Sequence, residues 1–317
     1  MGVNLDTPHL WKADTARSVD LYNEWFLRFA PQAFRTERSR SAHTVELALR
    51  HTGNLGDISP ELLFANPAVL PMLRMATCPP IARDRLIGLA GVSKNLVLVM
   101  EKDLAIPPRM PRAAVMDDLA KMGQTIAKLI DPDIFVWLDR AEPATPEEVG
   151  RAASIVADRL CGAQADPIIR NAQEARQLAG IQAWLQARGY VQVEPGVRYD
   201  AMRPGTFGFR MNVPGRGEDG LQVNIPVDAV VRPLAARPGD LPLLIEAKSA
   251  GDFTNVNKRR KEEATKVAQL RRANPTGVRY VLFLCGYFDS PYLGYEAAEG
   301  LDWVWEHRMA DLAEFGL

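Results

Sequence analysis

The short apolar run Leu241-Pro242-Leu243-Leu244-Ile245 ends abruptly in Glu246-Ala247-Lys248. Its length and its Leu and Ile content suit a buried strand. On a strand, residues i and i+2 point to the same face, so Glu246 and Lys248 project together. Burying an unpaired ion is costly, so charges do not ordinarily close such a run. A second run, Val223 to Val227, ends in Asp228, and seventeen residues separate Asp228 from Glu246. This part of the chain is therefore expected to build a sheet that brings two acids and a base to neighbouring strands. The bland alternative is a solvated strand end with an ion pair.

The surrounding periodicity agrees. Val19, Tyr22, Trp25, Phe26 and Phe29 recur at helical spacing, as do Leu119, Met122, Ile126 and Leu129. Pro107, Pro108 and Pro111 interrupt any helix between them. Thr145-Pro146-Glu147-Glu148 reads as a capping box opening a helix. A further helix is expected from Pro167 to Arg188, with Gly189 as its stop. After Gly189 the period changes. Tyr190–Glu194, Thr206–Asn212, Leu221–Val231 and Leu241–Lys248 read as strands, Asn257–Ala273 as helix and Val278–Cys285 as strand. The expected fold class is α/β, a mixed sheet flanked by helices and preceded by a mainly helical domain. The boundary is placed so that residues 1–145 form the helical domain and 146–317 the sheet domain.

Two carboxylates and a lysine suit phosphodiester hydrolysis. Asp228 and Glu246 offer hard oxygen donors for Mg²⁺. Such an ion acidifies water and stabilises charge on phosphate. Lys248 is placed to orient or deprotonate the water, or to pair with the phosphate. Glu174, on the helix before the strands, is the candidate third metal ligand, although Arg170 and Arg176 also stand near it as ion-pair partners. The basic run Lys258-Arg259-Arg260-Lys261 follows directly. It spans a full helical turn, so only some of the four can face one phosphate backbone. Lys266 reads as a solvated partner of Glu262, and Gln269 as a minor candidate to hold a water.

The net charge of −1 is spread unevenly. From Gly251 to Tyr280 there are eight Lys or Arg against three Asp or Glu, and from Arg28 to His51 five Arg against two Glu. Local basic patches on a neutral chain suit an enzyme that binds nucleic acid and also carries an acidic site. Arg35, Arg38, Arg40, Arg83 and Arg85 are candidates to read bases. Cys78, Cys161 and Cys285 are too scattered for a disulfide framework or a zinc knuckle. Neither a signal peptide nor a bilayer-spanning stretch is evident, so the expected compartment is the cytoplasm, with no membrane partner. The four histidines form no nuclease pattern, and His307 reads as structural or surface. No phosphate-binding Gly-x-x-x-x-Gly-Lys loop is present.

Pro226-Val227-Asp228, then Glu246-Ala247-Lys248, resembles the PD-(D/E)xK nuclease signature, with the proline one residue removed from the acid. Over most of its length the chain is similar to XamI-type restriction endonucleases. The likeness is carried by Leu243–Phe253, Asn257–Glu263, Leu284-Cys285-Gly286-Tyr287-Phe288 and Gly300–Arg308, and also by Pro79–Leu86. That resemblance implies a type II restriction endonuclease that cuts short specific sites in double-stranded DNA with Mg²⁺, alongside a protecting DNA methyltransferase. Asp228, Glu246 and Lys248 match the motif, and Glu174 matches it less closely. One catalytic set per chain and two strands to cut together suggest a homodimer on a palindromic site. The alternatives are a PD-(D/E)xK nuclease acting on branched or damaged DNA, and a DNA-binding module without catalysis.

Overall fold

A computed structural model gives the fold. It describes residues 2–254, 256–274 and 277–317, and of 256–259 the backbone alone. In chain order the helices are α1 (Pro8–His51), α2 (Pro60–Ala65), α3 (Leu70–Met75), α4 (Arg83–Ala90), α5 (Lys94–Lys102), α6 (Arg112–Ala127) and α7 (Pro146–Gln186). Strands β1 (Val191–Gln192), β2 (Thr206–Arg216), β3 (Gln222–Arg232) and β4 (Leu243–Ala250) follow. Then come α8 (Val256–Ala273), β5 (Arg279–Gly286), α9 (Ser290–Ala298) and β6 (Asp302–Trp305). The class is mixed α/β with a helical N-terminal region, and no described helix is long and apolar enough to cross a membrane.

The chain divides into two units. One comprises Met1–Phe29 with Arg170–Leu317, the other Ala30–Ile169. Both long helices contribute to both units, and each carries a proline beside the division, Pro31 in α1 and Pro167 in α7. The helix expected to begin at Pro167 is thus the continuation of the one opened by Thr145. Its capping box is formed: the Thr145 amide donates to Glu148 Oε2 at 2.9 Å, and the Glu148 amide to Thr145 Oγ1 at 3.3 Å. Gly189 follows α7 at φ +85°, a conformation glycine adopts without strain.

The helical unit, Ala30–Ile169, packs around Leu63, Leu70, Met72, Leu73, Leu119 and Met122, all fully buried. Within it Arg74 is almost wholly enclosed. Its guanidinium grips Glu101 on α5 through two bonds of 2.6 and 2.8 Å and also donates to the Ile81 carbonyl just before α4.

The other unit is built on a six-stranded sheet, in the order β1-β2-β3-β4-β5-β6. β3 is antiparallel to both β2 and β4, and the pairs β1–β2, β4–β5 and β5–β6 are parallel. Alternation distributes the side chains to two cores. Leu243 and Ile245 of β4, with Val281 and Phe283 of β5, meet Leu178, Ile181 and Leu185 of α7. Leu244, Leu282 and Leu284 face the other way, onto Val267 and Leu270 of α8 and onto Trp303 and Trp305 of β6. Both tryptophans are completely buried and so belong to this core. The strand β6 itself was not expected from the sequence. Its Asp302 carboxylate accepts from the amides of Val3, Asn4 and Leu5 at 2.6, 3.0 and 3.0 Å, tying the start of the chain to the last strand. His307 is structural: its Nε2 lies 3.1 Å from Asp14. All three cysteines are free.

Glu296 on α9 is fully enclosed, and burial followed by the charge of Glu263 pushes its carboxyl up to about 7. A carboxyl raised in the folded state is harmless while both states are protonated. It costs stability progressively as the pH climbs from the ordinary 4.5 through 7, by about 3 kcal/mol in full. Glu296→Gln is therefore expected to raise the melting temperature by roughly 5–10 °C at pH 8. The gain should fade as the pH falls towards 4.5. Calorimetric scans across that range check it, and an equal shift at every pH would exclude ionisation of Glu296 as the cause.

Candidate active site

Glu246 shares the strand parity of Leu244, so β4 aims it, together with Lys248, at the side of the sheet that α8 covers. The two side chains touch: Lys248 Nζ lies 3.1 Å from Glu246 Oε1. The β3–β4 pairing stops one residue short of them, at Ala229 and Ile245. Beyond that point the Asp228 carboxylate replaces a ladder carbonyl and accepts the Ala247 amide at 2.8 Å. A cleft of about 750 Å³ adjoins this point. Val223 to Pro226 of β3 form one wall, Lys261, Thr265, Lys266 and Gln269 of α8 another, and Glu246 and Lys248 also line it.

The cluster is larger than the sequence reading. Lys248 Nζ is also 2.8 Å from Glu263 on α8, and the buried Tyr280 hydroxyl donates to Glu263 at 3.2 Å. The second oxygen of Glu246 is met by Lys266 at 2.6 Å, so Lys266 turns into the cleft to meet Glu246 instead of marking a solvated face. Burial alone would weaken the Lys248 ammonium, but the charges of Glu263 and Glu246 outweigh it and hold the proton more firmly than on a free lysine. Burial, and next to it the charge of Glu246, pushes the Asp228 carboxyl up to about 6, against the pull of the Ala247 amide. The same burial raises Glu263. Two desolvated acids whose charges bear on each other form a donor set suited to a hard divalent cation. Among the described residues no three acid, histidine or cysteine side chains are already grouped as a metal shell.

Glu174 stands near the cluster, its charge adding to the rise of the Asp228 carboxyl. Glu174 lies on α7, one turn before Leu178, on the helix that packs against the opposite face. Its carboxylate is held by Arg210 at 2.8 Å, not by the two arginines flanking it in sequence, and Arg176 pairs with Glu306 instead. Arg210 stands opposite Asp228 in the β2–β3 register, at the position where the pairing is interrupted. Its backbone is left-handed there, φ +51°, which is uncommon for a residue with a side chain. On α8, Lys261 lines the cleft, whereas the Arg260 guanidinium sits 4.0 Å from the centre of the Tyr295 ring. The side chains of Lys258 and Arg259 lie outside the described residues. In the helical unit, Arg83 and Arg85 are exposed on α4. On α1, Arg38 lies 3.9 Å from Asp158 and Arg40 3.4 Å from Glu37. Glu263, Lys266, Tyr280 and Arg210 are the members that sequence reasoning missed.

Comparison with known proteins gives the family. Residues 53–305 match the family model of the XamI restriction endonuclease. The chain is 54% identical over 316 residues to the type II restriction enzyme SalI of Streptomyces albus G, covering 99% of both chains. No solved structure matches. The family match and the near-complete relative together place the chain in the XamI restriction endonuclease family.

Proposed function

We propose that this restriction endonuclease is a type II enzyme that hydrolyses double-stranded DNA at a short specific site, with a PD-(D/E)xK core and Asp228, Glu246 and Lys248 as its catalytic centre. The observation that carries the reading is the charged cluster beside a cleft: Glu246 and Lys248 line it and touch each other, and Asp228 is bonded to the residue between them. Asp228 and Glu246 are the residues that would hold Mg²⁺. When bound, the ion supplies positive charge against the phosphate and acidifies water. Lys248, an ammonium gripped by two acids that hold its proton, serves to hydrogen-bond a phosphate oxygen or to orient the attacking water and does not serve as a base. Glu263, fixed by Tyr280, sets where Lys248 points.

Glu174, held by Arg210 and near enough for its charge to bear on the Asp228 carboxyl, is the residue of α7 that would complete the metal's ligand set. Glu174→Gln is expected to raise the Mg²⁺ concentration needed for half-maximal cleavage. An unchanged metal titration would leave Glu174 as a surface partner of Arg210 only.

Lys261, with Lys258 and Arg259, grips phosphates, which positions DNA without reading it. Base reading falls to the helical N-terminal part, residues 1–145, through Arg38, Arg40, Arg83 and Arg85. The enzyme acts as a homodimer on a palindrome, with a DNA methyltransferase protecting the same site. Plasmid incubated with Mg²⁺ tests this: discrete fragments sharing one palindromic end sequence are expected. Cuts confined to branched DNA would make it a junction enzyme, and an asymmetric site would reject the symmetric dimer.

A further inference from the structure

Both oxygens of Glu246 already carry a cation. Lys248 meets Oε1 at 3.1 Å and Lys266 meets Oε2 at 2.6 Å. The two lysines are held differently. Lys248 is shared with Glu263, whose own position is fixed by Tyr280, so it is braced from two sides. Lys266 comes from the middle of α8 and makes the shorter contact to Glu246, on a carboxylate that is itself 5% exposed. Its side chain also lines the cleft, next to Lys261 and Gln269.

We propose that Lys266 is a built-in counter-cation, holding Glu246 in the DNA-free enzyme and competing with the divalent ion for the same oxygen. The proposal rests on the reading of Glu246 as a metal ligand. A dication entering beside an ammonium brings like charges together in a desolvated place, where their repulsion is only weakly screened. The ion therefore binds well only when the ammonium withdraws. DNA supplies the reason to withdraw, because a phosphate in the cleft offers Lys266 a new partner. Metal binding then follows DNA binding.

Titration calorimetry with Ca²⁺, on the full chain without DNA, tests this without any readout of cleavage. Lys266→Met is expected to tighten Ca²⁺ binding by about tenfold or more, and Lys266→Arg to leave it near wild type. Lys266→Gln serves as a second neutral variant should the methionine protein fail to fold. Glu246→Gln should remove the binding. Unchanged or weaker Ca²⁺ affinity in the neutral variants overturns the proposal, while Glu246→Gln still abolishing binding would leave the metal-ligand reading standing. Ca²⁺ binding that survives Glu246→Gln overturns both.

Discussion

Asp228→Asn, Glu246→Gln and Lys248→Met are each expected to lower the cleavage rate of bound DNA by roughly 10²–10⁴-fold. The near-isosteric replacements matter because the cluster is a chain of contacts. Glu263 touches Lys248, Lys248 touches Glu246, and Glu246 touches Lys266. Truncating Glu246 to alanine would leave two ammonium groups without their shared acid, and loss of fold would then mimic loss of chemistry. Asparagine at 228 can still accept the Ala247 amide, so it removes the charge and keeps the strand geometry. Single-turnover rates, read beside melting curves and DNA affinity in Ca²⁺, separate the two effects. A folded, DNA-binding variant that cuts at the wild-type rate excludes the residue it replaces from the catalytic centre.

Arg74→Met should destabilise the helical unit by about 3–5 kcal/mol. The guanidinium is buried, and both Glu101 oxygens and the Ile81 carbonyl depend on it. Removing it strands a buried carboxylate between α3 and α5. Replacing both partners, Arg74→Met with Glu101→Leu, should recover much of the loss, since a buried pair exchanged for apolar groups is often close to neutral. Denaturant midpoints of the two singles and the double measure this. An additive double mutant would mean that the two side chains are not coupled. Ile81 leads directly into α4, so the single variant should also blur the placement of Arg83 and Arg85.

Much of the site was legible because a strand has a period of two. Once Leu243 to Ile245 is a strand, Glu246 and Lys248 must share a face, and Asp228 falls on the neighbouring strand. The α8 members were harder to see. The helical phase of a segment as charged as Lys258–Lys266 is not set by its own sequence until the apolar positions are counted. Glu263, Val267 and Leu270 do lie on one stripe, at i, i+4 and i+7, and a glutamate in register with two buried aliphatics was the available signal. Lys266 gave no such signal, because its partner comes from another element. Arg210 was invisible for a related reason: a left-handed residue inside a strand has no signature when it is not glycine or asparagine. The continuous α7 was missed because an interior proline is read as a break, whereas α7 runs on through Pro167. β6 was missed because four residues give too little alternation to recognise.

The grip of Asp302 on the first amides has a consequence for the order in which the molecule is made. Synthesis runs from the N-terminus, so Val3, Asn4 and Leu5 leave the ribosome long before the carboxylate that secures them. The whole helical unit is translated in between. The opening segment must wait, unanchored, until Asp302 has emerged, and only then can the sheet-bearing unit close. A nascent chain therefore carries the charged residues of the cleft before it carries the finished scaffold. Stalled or truncated products lacking β6 should accordingly be harmless to the DNA around them.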